Sequence, residues 1–228
     1  MAKEVKNQTD MGSIVTDTLH KSSGSAVPDA QDLNFTLDPD VDQTWFAAML
    51  SHQKYTSFCC EYIQQAFRHQ QCRCFVPSKE ELHRYPNRTK RMVRKFIIPR
   101  MVFVTGLSEE QAYHFVREWP YVDIFLPDRA KKERAHRHVP LARISQRELV
   151  KLQRVIQGAS SADDITFTTD HLTLDDEIEV AYGDLRGLSG NYFHDADSDY
   201  LVFALGRLGN VKVKVSKKDC ILKPKSRI

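Results

Sequence analysis

The sequence predicts an α+β fold, an antiparallel sheet packed with helices followed by a second, smaller β module. Three observations carry this. Apolar residues alternate between a strand period of two and a helix period near four along residues 44–157. Two capping boxes, Ser108-Glu-Glu-Gln111 and Ser145-Gln-Arg-Glu148, mark helix starts. Near the end, Glu177-Ile-Glu-Val180 alternates as a half-buried strand does and runs into a turn punctuated by Gly183, Gly187 and Gly190.

Residues 1–43 are rich in Asp, Ser, Thr and Gln and show no sustained apolar period, which predicts a disordered acidic tail. Trp45–Leu50 then reads as a buried strand. Ser57 caps an expected helix on which Phe58, Tyr62 and Ala66 recur every four positions beside Cys59, Ile63 and Phe67. Cys72–Val76 and Phe96–Thr105 read as two further strands, joined as a hairpin through a basic stretch and the turn signal Tyr85-Pro86-Asn87.

The helix opened by Ser108 places Ala112, Phe115, Val116 and Trp119 on one face, and Pro120 ends it. Tyr121–Leu126 is the next strand. The helix opened by Ser145 turns Leu149, Leu152, Val155 and Ile156 inward, with Ile144 placed to staple Leu149, and Gly158 stops it. The small, polar residues 158–164 read as a linker to the module at 165–228, which is short for an independent core.

The longest apolar run, Trp45–Leu50, is far shorter than the roughly 18 residues of a spanning helix, and the N-terminus carries no secretory pattern. A cytoplasmic protein is expected, in which the sequons at Asn7, Asn34 and Asn87 go unused. Cys59, Cys60, Cys72, Cys74 and Cys220 lack the spacing of a zinc ribbon or a disulfide framework and read as reduced, mostly buried thiols. The net charge of +3 hides a segregation of sign. Arg84, Arg88, Lys90, Arg91, Arg94, Lys95 and Arg100 fall in a stretch without Asp or Glu, whereas residues 163–199 are acidic with Arg186 alone opposing.

Several segments together resemble a NusG-family factor, an NGN domain joined by a flexible linker to a KOW domain. The carrying residues are Thr44-Trp45-Phe46-Ala47, Phe75-Val76-Pro77, the run from Arg94 to Val104, Tyr113-His-Phe-Val-Arg117, the final capped helix, and Glu177 to Gly190, which resembles the KOW motif. An ordinary Gly-rich hairpin is the alternative for that last segment taken alone. The likeness covers Thr44 to about Lys225 and implies an NGN domain at 44–157 and a small KOW (SH3-like) β-barrel at 165–228. Within the family the chain looks more like the specialised RfaH and UpxY-type antiterminators that serve long surface-polysaccharide operons. It departs where relatives often carry a Pro-Gly-aromatic turn, since Pro99 is followed by Arg100 and Met101.

The resemblance implies a transcription elongation and antitermination factor, a monomer without cofactor or enzymatic activity, that binds RNA polymerase through an apolar depression. At the matching positions stand Phe46, Ile98, Met101 and Phe103, with Trp119 nearby; any one of them taken singly reads first as plain core, and the depression is expected of the set. Arg88, Lys90, Arg91, Arg94 and Lys95 would present cations to the phosphates of non-template DNA or nascent RNA or to the polymerase itself, or form a solvated loop. His52, Gln53 and Lys54 follow the first strand where recruited relatives read non-template DNA. Gly183, Leu185, Arg186, Gly187, Gly190 and Leu208 would form the KOW turn and its contact for Rho or a ribosomal protein.

Asp195, Asp197 and Asp199 imitate the start of a calcium loop, but Tyr200 stands where Gly is needed. His136 and His138 lack nearby carboxylate or thiolate ligands, so no metal is expected. No nucleophile triad, phosphate loop or dinucleotide fingerprint is present. The other class of function is a KOW-containing RNA- or ribosome-binding protein that does not act on polymerase.

Overall fold

The computed structural model describes residues 36–56, 59–60, 72–86, 88–128, 139–169, 172, 176–206 and 208–223. The expected acidic tail lies almost wholly outside the described residues. So do the helix expected after Ser57, apart from Cys59 and Cys60, and the pair His136 and His138.

The first sheet is antiparallel, in the order β2 (Arg73–Phe75), β5 (Met101–Thr105), β1 (Thr44–Leu50), β6 (Val122–Phe125). A short β7 (Arg143–Ser145) also pairs with β1. Both faces of this sheet are covered, so its strands read as near-continuous apolar runs. Trp45, Ala47, Met101 and Phe103 point into one cluster, while Phe46, Ala48, Leu50, Val102 and Val104 point into another. Helix α1 (Glu109–Glu118) covers the second cluster with Ala112 and Phe115, and helix α2 (Gln146–Gly158) adds Leu149, Leu152, Val155 and Ile156 to the first. Both capping boxes close as the sequence predicts.

Two features depart from the expected hairpin. Residues 97–100 form a turn rather than strand, with Arg100 at φ 63° and Ile97 N–H donating to Pro77 O at 2.8 Å. The charged stretch before and after the tip is itself strand. β3 (Ser78–Arg84) and β4 (Lys90–Phe96) pair as a two-stranded antiparallel ribbon.

The second sheet has six strands, in the order β13 (Cys220–Leu222), β9 (Glu177–Val180), β10 (Ser189–Asp195), β11 (Ser198–Leu205), β12 (Gly209–Val215), β8 (Ile165–Thr168). The expected closed barrel is not what is observed. Among the described residues no ladder joins β13 to β8, so the sheet is open, with these two strands as its edges. Gly190 sits where a Cβ would fall 2.4 Å from Val202 O, so only glycine lets β10 approach β11 there.

Residues 158–164, expected as a flexible linker, are packed: Ala159 and Ala162 are buried and residues 162–164 form a 3-10 turn. Ile165, Ile178, Val180, Leu201, Phe203 and Leu205 of the second sheet share one continuous apolar cluster with α2 and the first sheet. No helix among the described residues is long and apolar enough to cross a membrane.

Candidate nucleic-acid interface

The β3–β4 ribbon divides into a root and a tip with different electrostatics. Its register pairs Lys79 with Lys95, Glu80 with Arg94, Glu81 with Val93, Leu82 with Met92, His83 with Arg91 and Arg84 with Lys90. Side chains alternate between faces, so Glu80–Arg94, Leu82–Met92 and Arg84–Lys90 stack along one face. The tip closes through Tyr85 N–H donating to Thr89 O and Arg88 N–H to Tyr85 O, each at 2.9 Å, with Arg88 at φ 66°.

At the root the cations are engaged. Arg94 meets Glu80 at 3.0 Å, and Lys95 bridges Glu81 at 3.1 Å and Asp163 at 2.8 Å. Lys79 Nζ donates to Ile156 O at 2.8 Å, at the C-terminal end of α2 where the helix carbonyls favour a cation. The premise that the basic run has no acidic partners is therefore corrected for Arg94 and Lys95. Cross-strand pairing supplies Glu80 and Glu81 from just outside the run, and the 3-10 turn supplies Asp163.

At the tip the cations face solvent. Arg84, Arg88, Lys90 and Arg91 are exposed and form no ion pair among the described residues. Between root and tip, Leu82 and Met92 sit directly opposite each other, 60% and 61% exposed. The sequence reading missed this pair. Its signal was present, since the turn at Tyr85-Pro86-Asn87 places residues 82 and 92 at equal distances from the tip.

His52, Gln53 and Lys54 form the short turn after β1. His52 and Lys54 are exposed, with His52 Nδ1 accepting from Lys54 N–H at 3.1 Å and Lys54 Nζ 5.0 Å over the Tyr55 ring. Gln53 is spent internally: its Oε1 accepts from Arg100 N–H and its Nε2 donates to Thr56 Oγ1 at 2.9 Å. Arg100 in turn pairs with Asp123 at 3.1 Å.

The five depression candidates are all buried and do not share one face. Ile98, Met101 and Phe103 belong to the cluster with α2 and the second sheet, whereas Phe46 and Trp119 belong to the cluster under α1. In the glycine turn, Gly183 and Gly187 take φ 81° and 79°. Leu185 is half-buried against the end of α2, where a Cβ on Gly158 would meet its Cδ2 at 2.8 Å, and Leu208 packs partly on the same core. Arg186 is exposed, and its carbonyl accepts from Arg154 Nη2 at 3.0 Å.

Asp199 closes the β10–β11 hairpin. Its carboxylate accepts from Tyr192 OH and contacts His194 Nδ1 at 2.9 Å, and these two bonds, the tyrosine's first, hold it below the usual aspartate range.

No protein family matches the chain, and no curated protein does. Among solved structures the chain is similar to one described as "Domain interaction in Thermotoga maritima NusG". The identity is 15% and the TM-score 0.43, over 80% of this chain and 98% of that one.

Proposed function

We propose that this protein is a transcription elongation and antitermination factor of the NusG kind. On this reading residues 44–157 act as the polymerase-binding NGN unit, and residues 165–228 as a KOW-like unit built on the open six-stranded sheet. The RfaH and UpxY-type specialisation for long surface-polysaccharide operons is the narrower form of the same reading.

The observation that carries it is the division of the β3–β4 ribbon. A root fixed by Lys79, Arg94 and Lys95 projects a tip whose Arg84, Arg88, Lys90 and Arg91 have no carboxylate partner among the described residues. Cations arranged so release counterions on meeting phosphates, which suits an accessory factor seated beside the nucleic acids of a transcribing polymerase. Polymerase contact falls to the unit that carries Phe46, Ile98, Met101, Phe103 and Trp119, whose buried side chains shape its surface from two separate clusters rather than touch the partner themselves. Rho or a ribosomal protein is the proposed partner of the glycine turn at Leu185, Arg186 and Leu208.

A second reading, an RNA- or ribosome-binding protein, has one observation in its favour. Lys212 Nζ lies 4.9 Å from the Phe193 ring and 4.8 Å from the Tyr200 ring on the second sheet, an aromatic and cationic surface of the kind that stacks unpaired bases. Single-round transcription through a terminator, with and without the full chain, separates the two. Increased read-through together with co-migration on elongation complexes supports the first. Binding to RNA or ribosomes with no effect on read-through supports the second.

A further inference from the structure

We propose that the β3–β4 ribbon is a duplex-DNA arm in which Leu82 and Met92 act together as an apolar wedge against a base step. The inference rests on the nucleic-acid reading of the ribbon, and adds a substrate class and a mode of contact.

The ribbon carries a cost that the fold alone does not explain. A Leu and a Met placed opposite each other on a projecting ribbon, each more than half exposed, leave apolar surface in water and invite strand pairing with other chains. The same ribbon otherwise uses charge at every neighbouring pair on that face. Glu80–Arg94 lies on the root side and Arg84–Lys90 on the tip side of the apolar pair. Neighbouring pairs on one face are about 7 Å apart, so the wedge and the Arg84–Lys90 cations reach one ligand together.

Charge complementarity selects the partner. The tip carries Arg84, Arg88, Lys90 and Arg91 with no acidic residue between Glu81 and Glu109, which excludes a basic partner and favours a polyanion. Among polyanions, B-form DNA has flexible base steps that yield to an apolar wedge entering the minor groove, whereas an A-form RNA duplex is met across its shallow minor groove through 2′-hydroxyl and phosphate contacts. Proteins that bend DNA insert Leu or Met between base steps and hold the flanking phosphates with Arg and Lys, the combination this ribbon presents. The rigid root matters here. Unstacking a step costs a few kcal/mol, and a ribbon anchored by Lys79 and Lys95 can transmit that load to α2 and the 3-10 turn without folding back.

The test uses the full chain and a short B-DNA duplex carrying 2-aminopurine at successive positions, with an A-form RNA duplex of equal length as control and no polymerase present. Wild type is expected to bind the DNA more tightly than the RNA and to raise 2-aminopurine emission at one or two adjacent steps. R88A/K90A/R91A is expected to weaken DNA binding on the order of 10-fold to 100-fold and to reduce the slope of log affinity against log salt by about 3. L82S/M92S should keep that slope and its melting temperature, because both residues are exposed, yet lose the rise in emission.

The proposal is overturned if emission does not change with wild type, if the rise survives L82S/M92S, or if the triple variant binds DNA as wild type does. Equal binding to RNA and DNA duplexes also overturns it. Failure of terminator read-through with unstacking intact would instead remove the polymerase reading and leave the wedge standing.

Discussion

Glu148 holds Gly206 across the junction between helix α2 and the second sheet. One carboxylate oxygen accepts from Ser145 N–H at 2.8 Å and Ser145 Oγ at 2.9 Å to complete the helix cap, and the other accepts from Gly206 N–H at 2.9 Å. The capping box thus does more than start a helix. It ties the β11–β12 turn to the first sheet, at a glycine with φ 54° whose Cβ would lie 3.3 Å from Arg143 O. Glu148→Ala should cost about 1–3 kcal/mol, set mainly by the stranded Gly206 amide. Calorimetry would register this as a fall of a few degrees in Tm, and hydrogen exchange at Gly206 should quicken. Unchanged exchange at that amide would count against the tie.

The two ends of the ribbon should respond oppositely to charge reversal. Lys95→Glu places a carboxylate against Glu81 and Asp163, so its main effect is on stability, read as a lower urea midpoint. Lys90→Glu with Arg91→Glu alters exposed positions without ion pairs among the described residues and should move stability by no more than about 0.5 kcal/mol per site. Nucleic-acid affinity should show the reverse order, with the tip variant the weaker binder in an anisotropy titration.

How much of this was legible in the sequence depends on burial. β1 and β5 are covered on both faces, so their apolar runs announced themselves, and Ser108 and Ser145 marked both helix starts. β3 was hidden because Lys79-Glu-Glu-Leu-His-Arg84 is mostly exposed and has no apolar alternation to reveal a strand. The turn at residues 97–100 was hidden for the opposite reason, since Ile97 and Ile98 are buried and continue the apolar run straight through it. Grouping Phe46 with Met101 and Phe103 failed on register. Phe46 stands opposite Val104, and so shares a face with Val102 and Val104. The expected barrel came from the likeness of the glycine turn, and local turn chemistry does not fix whether the edges of a sheet meet.

Burial of the depression candidates makes a prediction of its own. Met101 and Phe103 lie in the cluster that α2 and the second sheet share, so Met101→Ala should cost about 2–5 kcal/mol and Phe103→Ala about 3–5 kcal/mol. Urea unfolding measures both. A Phe103→Ala protein with a wild-type midpoint would mean that the side chain is in fact free to meet a partner.

The thiols should divide by accessibility. Cys59, Cys60, Cys72 and Cys74 are buried and only Cys220 is partly exposed. Burial raises Cys72 to about 11 and pushes Cys59 up further, while a hydrogen bond to Cys60, together with burial, holds Cys74 well above the usual thiol range. Cys220 is raised too, by burial and then by Asp219 and Asp199, so access decides the order: iodoacetamide at pH 8 should modify Cys220, slowly, in the native protein and the four buried thiols only after unfolding. Mass spectrometry of the labelled protein reads the order. Early modification of Cys74 would contradict the packing of β2 against its neighbours.

The root of the ribbon predicts how stability follows pH. Burial alone would raise Glu81, but the Ala162 N–H and the Lys95 ammonium outweigh it, so its carboxyl titrates below the ordinary glutamate range. Lys95 is raised by its bond to Asp163 and then by Glu81. A depressed carboxyl contributes stability that is fully present above its unfolded pKa near 4.3 and is lost as pH falls through the lower folded value. A raised lysine contributes stability present below its unfolded pKa near 10.4 and lost as pH climbs past it. Urea midpoints should therefore be level around neutrality and decline at both extremes. Glu81→Gln should flatten the acid limb, because the amide still accepts from Ala162 N–H but no longer titrates, and should weaken the alkaline limb by removing one of the two carboxylates beside Lys95. An acid limb as steep in Glu81→Gln as in wild type would show that the carboxylates responsible lie elsewhere, with Asp199, also held below its usual range, the next to replace.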